Sequence, residues 1–143
     1  NKIYLCGVKI PFDKGLAGHS DADVALHALT DAILGALALG DIGLHFPDTD
    51  EKWKKADSVV FLNWSLKKAK QKNLKLSNID LTIICEKPEI NSFRDQLIAN
   101  LSKICLLEND KINVKATTTE RLGFTGREEG IASICSVLLY ETS

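Results

Sequence analysis

Residues 79–117 read IDLTIICEKPEINSFRDQLIANLSKICLLENDKINVKAT, and this stretch decides the fold. Ile79, Leu81, Ile83 and Cys85 alternate with Asp80, Thr82 and Glu86, the period of a strand with one apolar face. Pro88 ends it. Phe93, Leu97, Leu101 and Ile104 recur at helical spacing, which predicts a helix over Ser92–Cys105. Ile112, Val114 and Ala116 then alternate with Asn113, Lys115 and Thr117, a second strand. A chain that alternates such segments stacks its helices on a sheet.

Working outward, residues 131–140 (IASICSVLLY) predict a last strand with so little polar relief that both its faces are expected to be buried. Residues 3–12 (IYLCGVKIPF) predict a first strand that stops near Pro11. A loop follows from Asp13 to His19. Ser20, with Asp23 three residues later, is a capping-box variant, so a largely buried helix is expected over residues 21–39 with Gly40 as its stop. Residues 41–55 read as a loop. A second helix is predicted from Asp57 to Asn73, its terminal lysines suiting the helix dipole. The fold class is therefore α+β, an α/β sandwich: one mixed β-sheet covered by about three helices.

The composition narrows the function. A chain of 143 residues fits one domain, 1–143, and buries about two thirds of its unfolded surface. Hydrophobic residues make up 45% and charged residues 26%, which excludes a chain disordered throughout. Eighteen basic against 19 acidic residues leave a net charge of -1, so no global basic field draws nucleic acid. No apolar run is long enough to span a bilayer, and no membrane partner is expected. Cys6, Cys85, Cys105 and Cys135 sit apart in apolar runs with no finger-like spacing, as buried free thiols do in a reducing compartment. The chain has no methionine, so a segment is expected to precede Asn1.

Four clusters carry chemistry. Asp23, His27 and Asp31 fall four apart, on one helix face, either as a metal ligand with carboxylate orienters or as a structural hydrogen-bonded cluster. One histidine does not make a metal site, and nothing in the spacing of His19 and His45 requires them to join it. Lys115-Ala116-Thr117-Thr118-Thr119-Glu120 ends a strand in three hydroxyls and a carboxylate, groups that suit phosphate oxygens and a divalent cation, or merely a threonine-rich turn. Gly123-Phe124-Thr125-Gly126-Arg127 exposes backbone N–H groups beside an arginine, a weak phosphate signal. Asp41-Ile42-Gly43 places a carboxylate at a helix end, to accept from ribose hydroxyls or to close a turn.

Taken together and in order, these strings resemble 2-C-methyl-D-erythritol 2,4-cyclodiphosphate synthases. The resemblance covers nearly the whole chain: GVKIP at 7–11, HSDADVALHALTDAILGALALGDIG at 19–43, FPDTD at 46–50 and NVKATTTERLGFTGREEGIA at 113–132. It implies that the 2-phosphate of 4-diphosphocytidyl-2-C-methyl-D-erythritol 2-phosphate attacks the β-phosphorus of the same molecule. CMP leaves and an eight-membered cyclic diphosphate forms, a step of the non-mevalonate isoprenoid pathway. It implies a homotrimer with sheets facing the three-fold axis and interfacial active sites. It implies Zn²⁺, or another divalent transition metal, in each site and Mg²⁺ or Mn²⁺ on the phosphates. It implies bacterial cytoplasm, or plastid stroma in a eukaryote.

Residue by residue, the resemblance makes His27 a zinc ligand and Glu120 the carboxylate on the second metal. His19 and Thr118 match the pair that stabilises the transition state, with Ser20 beside His19 on the substrate. Asp41, Ile42 and Gly43 match the ribose contacts, from a neighbouring subunit. Phe46, Pro47, Asp48, Thr49 and Asp50 match a flexible loop over the erythritol end. Cys85, Glu86, Lys87, Pro88, Glu89, Ile90 and Asn91 match the cytosine pocket together with Thr117 and Thr118, and Thr119 continues that run. Phe124 and Arg127 match residues near the trimer axis, where the family has a cavity that can hold isoprenoid diphosphates.

The chain departs from the family in three places. The family's Asp-x-His pair of zinc ligands does not occur in the sequence, so it is expected on a strand before Asn1. Glu89 stands where Lys is common, with Lys87 nearby to compensate. Glu128 stands where Gly is common. The departures leave an alternative reading, a non-catalytic trimeric module that binds isoprenoid diphosphates on the same fold. His45 has no role in the resemblance and reads as a solvated loop histidine.

Overall fold

A computed structural model describes residues 2–12, 23–47, 49–50 and 56–142. Residues 3–12 do not form one strand. Lys2–Leu5 (β1) and Val8–Pro11 (β2) pair antiparallel, with Leu5 opposite Val8. The two linking residues, Cys6 and Gly7, have φ of 55° and 76°. Positive φ at both is the geometry that lets a two-residue turn follow the strand twist. Cys-Gly flanked by apolar residues on both sides hides that turn from a reading of the pattern. Its backbone is tied from two directions. Asp23 accepts the Cys6 N–H on Oδ1 at 3.0 Å and the Gly7 N–H on Oδ2 at 2.7 Å, and Asn100 Nδ2 donates to the Cys6 carbonyl at 2.6 Å.

Helix α1 runs Val24–Ala36. Its cap is Asp23, whose Oδ1 also accepts the Leu26 N–H at 2.9 Å. The Ser20 start lies outside the described residues. The helix does not run on to Gly40. Ala38 takes φ 57°, its N–H bonds Gly35 O and the Leu39 N–H bonds Leu34 O. These are the paired bonds of a Schellman ending, with Ala where Gly is usual. Residues 42–45, read as loop, form a short helix, α2 (Ile42–His45), capped by Asp41. Helix α3 (Ser58–Gln71) follows, capped by Asp57. It buries Ser58, Phe61, Leu62, Ser65 and Ala69, one stripe at helical spacing.

Strand β3 (Leu74–Ile84) is the centre of a three-stranded sheet of order β4-β3-β5. After a 3₁₀ turn at Ile90–Ser92, helix α4 (Arg94–Cys105) buries Leu97, Ile98 and Leu101. Strand β4 (Ile112–Thr117) lies parallel to β3, Ile79 opposite Ile112. The short helix α5 (Gly123–Gly126) leads to β5 (Ala132–Glu141), antiparallel to β3. The pairing slips by one residue between Leu76 and Asn78. Before the slip Leu76 faces inward; after it Ile79, Leu81 and Ile83 do.

The core lies between one face of this sheet and the helices. Ile79, Leu81, Ile83, Ile112 and Val114 meet Leu29 and Ile33 of α1, Leu62 of α3, and Leu97 and Leu101 of α4. Each such side chain contributes about 1.5–3 kcal/mol of transfer free energy when fully buried. The opposite face is uncovered. Ile134 and Leu138 of β5 are 63% and 61% exposed, so the expectation that this strand is buried on both faces does not hold within one chain.

Candidate active site

Two parallel neighbours must release the chain at the same edge of the sheet. Strands β3 and β4 therefore bring residues 85–91 and 117–128 together, although about thirty positions separate them in sequence. The Cys85 N–H extends the ladder one step, onto Thr117 O at 3.1 Å. Cys85 itself is buried, and its Sγ leans on Pro88 O across a cis Lys87–Pro88 bond. Burial, and then the Glu86 carboxylate, push its thiol up to about 11. It is a packing residue, not a nucleophile at neutral pH.

The two threonines after β4 have different jobs. Thr119 turns inward: its hydroxyl donates to Leu122 O at 2.6 Å and lies 3.0 Å from Thr125 Oγ1. Thr118 is exposed, and its Oγ1 accepts the Glu120 N–H at 3.2 Å. Accepting there leaves the hydroxyl proton of Thr118 available to a phosphate oxygen. Glu120 is exposed with φ 53°, and Arg121 follows at φ 68°. Two successive left-handed residues turn the chain sharply, and Gly126 packs beneath. A Cβ on Gly126 would fall 2.2 Å from the Arg121 carbonyl carbon. Glu128 also has φ 61°, which gives a backbone reason for the glycine common at that position in the family it resembles. Its carboxylate lies 3.9 Å from Lys87 Nζ, so Lys87 faces the 117–128 loop. Phe124 is half exposed, and Arg127 donates through Nε to Glu129.

A second group forms around α1 and α3. His27 Nε2 and Ser58 Oγ share a hydrogen bond of 3.2 Å, and the ring stands 6.1 Å from Phe61. The flanking carboxylates are not its orienters. Asp23 is spent on three backbone amides, and Asp31 accepts the Ile42 N–H at 2.9 Å, fixing the start of α2. Burial pushes the Asp23 carboxyl up, against those amides and His27. Asp41 caps α2 through Leu44 N. Phe46 is buried, 4.7 Å from Phe61 and 5.0 Å from Trp64. His45 is not a solvated loop residue: it ends α2, its ring lies 4.7 Å from Trp64, and its Nε2 donates to Leu39 O. Ser58 could not be found from sequence, because only the packing of α3 on α1 brings it to His27. His19, Ser20 and Asp48 lie outside the described residues.

The described residues offer a metal unequal fits. No group of three or more His, Cys, Asp or Glu side chains converges among them. His27 alone does not make a zinc site of the usual three or four ligands. Glu120, one exposed carboxylate beside the Thr118 hydroxyl, suits Mg²⁺, which takes one or two carboxylates and completes its shell with phosphates and water.

Comparison with known proteins agrees with this architecture. The structure matches a 2C-methyl-D-erythritol-2,4-cyclodiphosphate synthase solved in a CDP-bound form, with a TM-score of 0.87 and 38% identity over 98% of this chain and 91% of that one. It also matches the bifunctional IspDF of Campylobacter jejuni, with a TM-score of 0.92 and 44% identity over 99% of this chain and 38% of that one. The fold is thus that of the cyclodiphosphate synthases, an α+β sandwich. A profile of the YgbB family matches residues 1–140, and the chain belongs to that family.

Among curated relatives, it is 57% identical to the bifunctional enzyme IspD/IspF of Paracoccus denitrificans over 96% of this chain and 36% of that protein. It is 55% identical to the 2-C-methyl-D-erythritol 2,4-cyclodiphosphate synthase of Geobacter metallireducens over 96% of this chain and 88% of that protein. The chain spans about a third of the length of the bifunctional relatives it matches. No helix among the described residues is long and apolar enough to cross a membrane.

Proposed function

We propose that this chain carries cyclodiphosphate synthase activity. It converts 4-diphosphocytidyl-2-C-methyl-D-erythritol 2-phosphate into 2-C-methyl-D-erythritol 2,4-cyclodiphosphate and CMP. The observation that carries the reading is the exposed Thr118–Glu120 turn held against the 85–91 loop, at the shared edge of β3 and β4.

In this reaction an oxygen of the 2-phosphate bonds to the β-phosphorus. The bond from that phosphorus to the bridging oxygen breaks, and CMP departs with the bridging oxygen. The nucleophile is part of the substrate, so the protein needs no activated serine or cysteine. Its work is to fold the substrate back on itself and to neutralise charge. The loop after β3 takes the cytidine end. The Thr118 hydroxyl donates to a phosphate oxygen, and backbone N–H groups of the turn assist. Glu120 would hold a divalent cation, which would supply charge neutralisation to the diphosphate. His19, by resemblance, stabilises the transition state with Thr118.

The group around His27, Asp41 and Phe46 sits on α1 and α2, whereas Thr118 and Glu120 follow β4. A site completed across subunits accounts for both, and the uncovered apolar face of β5 supports a homotrimer. A transition metal at His27 would need ligands beyond the described residues.

The test is direct. The protein is incubated with the substrate, Mg²⁺ and Zn²⁺, and products are followed by ³¹P NMR and chromatography. Stoichiometric CMP with the cyclic diphosphate is expected. A linear product bearing two phosphate monoesters in place of the cyclic one would make it a phosphohydrolase, and tight binding without CMP would make it a binding module.

A further inference from the structure

Glu86 stands two residues past the end of β3, and its carboxylate reaches across to the loop after β4. Oε1 accepts the backbone N–H of Arg121 at 2.5 Å. That N–H belongs to the peptide joining Glu120 to Arg121, the two consecutive left-handed residues. A left-handed conformation costs a non-glycine residue about 1–2 kcal/mol, so this pair persists only where the surroundings hold it.

Other hydrogen bonds along the turn are local: Glu120 N on Thr118 Oγ1, Leu122 N on Thr119 O, and Thr119 Oγ1 on Leu122 O. The Glu86 bond comes from outside the turn. Holding the Arg121 N–H fixes ψ of Glu120 and φ of Arg121 together. Because the Cys85 N–H also bonds Thr117 O, the Glu86 bond closes residues 117–121 into a ring, which restrains the torsions that set the Glu120 carboxylate against the Thr118 hydroxyl. A charge-assisted bond of this kind is about twice as strong as a neutral one.

We infer that Glu86 is a positioning residue. Its carboxylate does not meet the reacting phosphates; it locks the Glu120–Arg121 peptide so that Thr118 and Glu120 reach the diphosphate together. The inference rests on the activity proposed above. It also gives Glu86 a job apart from the cytosine contacts that the family resemblance implies for residues 85–91. Because Glu86 follows the buried Cys85 directly, the rim of the nucleoside pocket and the phosphate turn are mechanically joined.

The test compares Glu86→Ala with Glu86→Gln, whose amide oxygen remains an acceptor. Hydrogen exchange at the Arg121 amide reports the bond whether or not the protein is a synthase. In Glu86→Ala that amide is expected to exchange at least about tenfold faster, with kcat down at least about tenfold and KM changed less than about threefold. Glu86→Gln, which keeps an acceptor oxygen but loses the charge, is expected to fall between Glu86→Ala and the parent in both exchange and kcat.

Unchanged Arg121 exchange in Glu86→Ala would overturn the clamp. Faster exchange with unchanged kcat would show that the bond positions nothing. A raised KM with kcat kept would make Glu86 a substrate contact. Should the parent protein release no CMP, the synthase reading fails by itself. The clamp is then judged on Arg121 exchange and on CDP affinity with Mg²⁺: weaker binding in Glu86→Ala supports it and equal binding refutes it.

Discussion

Asp23 accepts the Gly7 N–H at 2.7 Å across sixteen positions of chain, and so pins the β1–β2 turn to the first turn of α1. The same carboxylate takes the Cys6 and Leu26 amides. It is 2% exposed, and burial raises its pKa while the three amides oppose the rise. Replacement by Asn keeps one oxygen but turns an NH₂ group toward backbone donors. Asp23→Asn is expected to lose about 2–3 kcal/mol in urea unfolding at pH 7, the range for a hydrogen-bonded charged group left partly unmatched. A loss below about 0.5 kcal/mol would mean that the turn is held by other contacts.

Ala38 closes α1 with φ 57°, a position where glycine carries no Cβ penalty. Ala38→Gly is expected to gain about 0.5–1 kcal/mol, read as a rise in melting temperature. A fall would show that the chain reaches this ending against little strain.

The threonines of the β4 turn separate by function. Thr118→Ala is expected to lower kcat by about 10² or more with little change in melting temperature, because its hydroxyl faces outward. Thr119→Ala is expected to do the reverse. It loses about 1–2 kcal/mol of stability through its bonds to Leu122 O and Thr125, with a smaller effect on turnover. Equal losses of kcat in the two variants would contradict the division.

Cys135 faces the core, and burial, followed by Asp80 and then Cys105, pushes its thiol up to about 12. In the unfolded chain a cysteine ionises near about 8.5. The folded pKa is the higher one, so this contribution to stability is complete below about pH 8.5 and is lost as pH rises through 12. Relative to Cys135→Ala, the parent should lose about 1–2 kcal/mol between pH 8 and pH 10, measured by denaturant unfolding. A pH-independent difference would place the thiol in solvent.

Ile134 and Leu138 make an apolar strip on the uncovered sheet face, beside the polar ladder of Asp80, Asn113 and Lys115. Analytical ultracentrifugation is expected to give three times 15.7 kDa for the parent chain. Ile134→Lys should shift it toward monomer and abolish turnover, since the proposed site spans subunits. A variant that stays trimeric would move the interface elsewhere.

Most of the fold was legible because its signals are local. The stripes of α3 and α4, the alternation of β4 and the turnover from helix to strand survive without tertiary context. The first strand was misread because Cys6-Gly7 lacks the Asn-Gly signature of its turn. The early part of β3 was missed because the bulge near Ser77 reverses the phase of its alternation, so Leu74 and Leu76 do not continue the pattern of Ile79 to Ile83. The outer face of β5 was misassigned because apolar content shows that a surface is covered, not by which molecule. Within the site, Thr118 and Glu120 were readable as types at a strand end. The bond from Glu86 to Arg121, and that from Ser58 to His27, needed strand register and helix packing, which no local pattern encodes.

The slip in β3 has a further consequence. From Ile79 onward the strand is registered twice, by β4 on one side and by β5 on the other; before Ser77 it is registered by β5 alone. Sequence drift or a one-residue length change at the Leu74–Leu76 end is absorbed at the bulge and does not travel to the loops at the other end. The strand works as a vernier: one half is free to vary while the half that aims the chemistry keeps its setting.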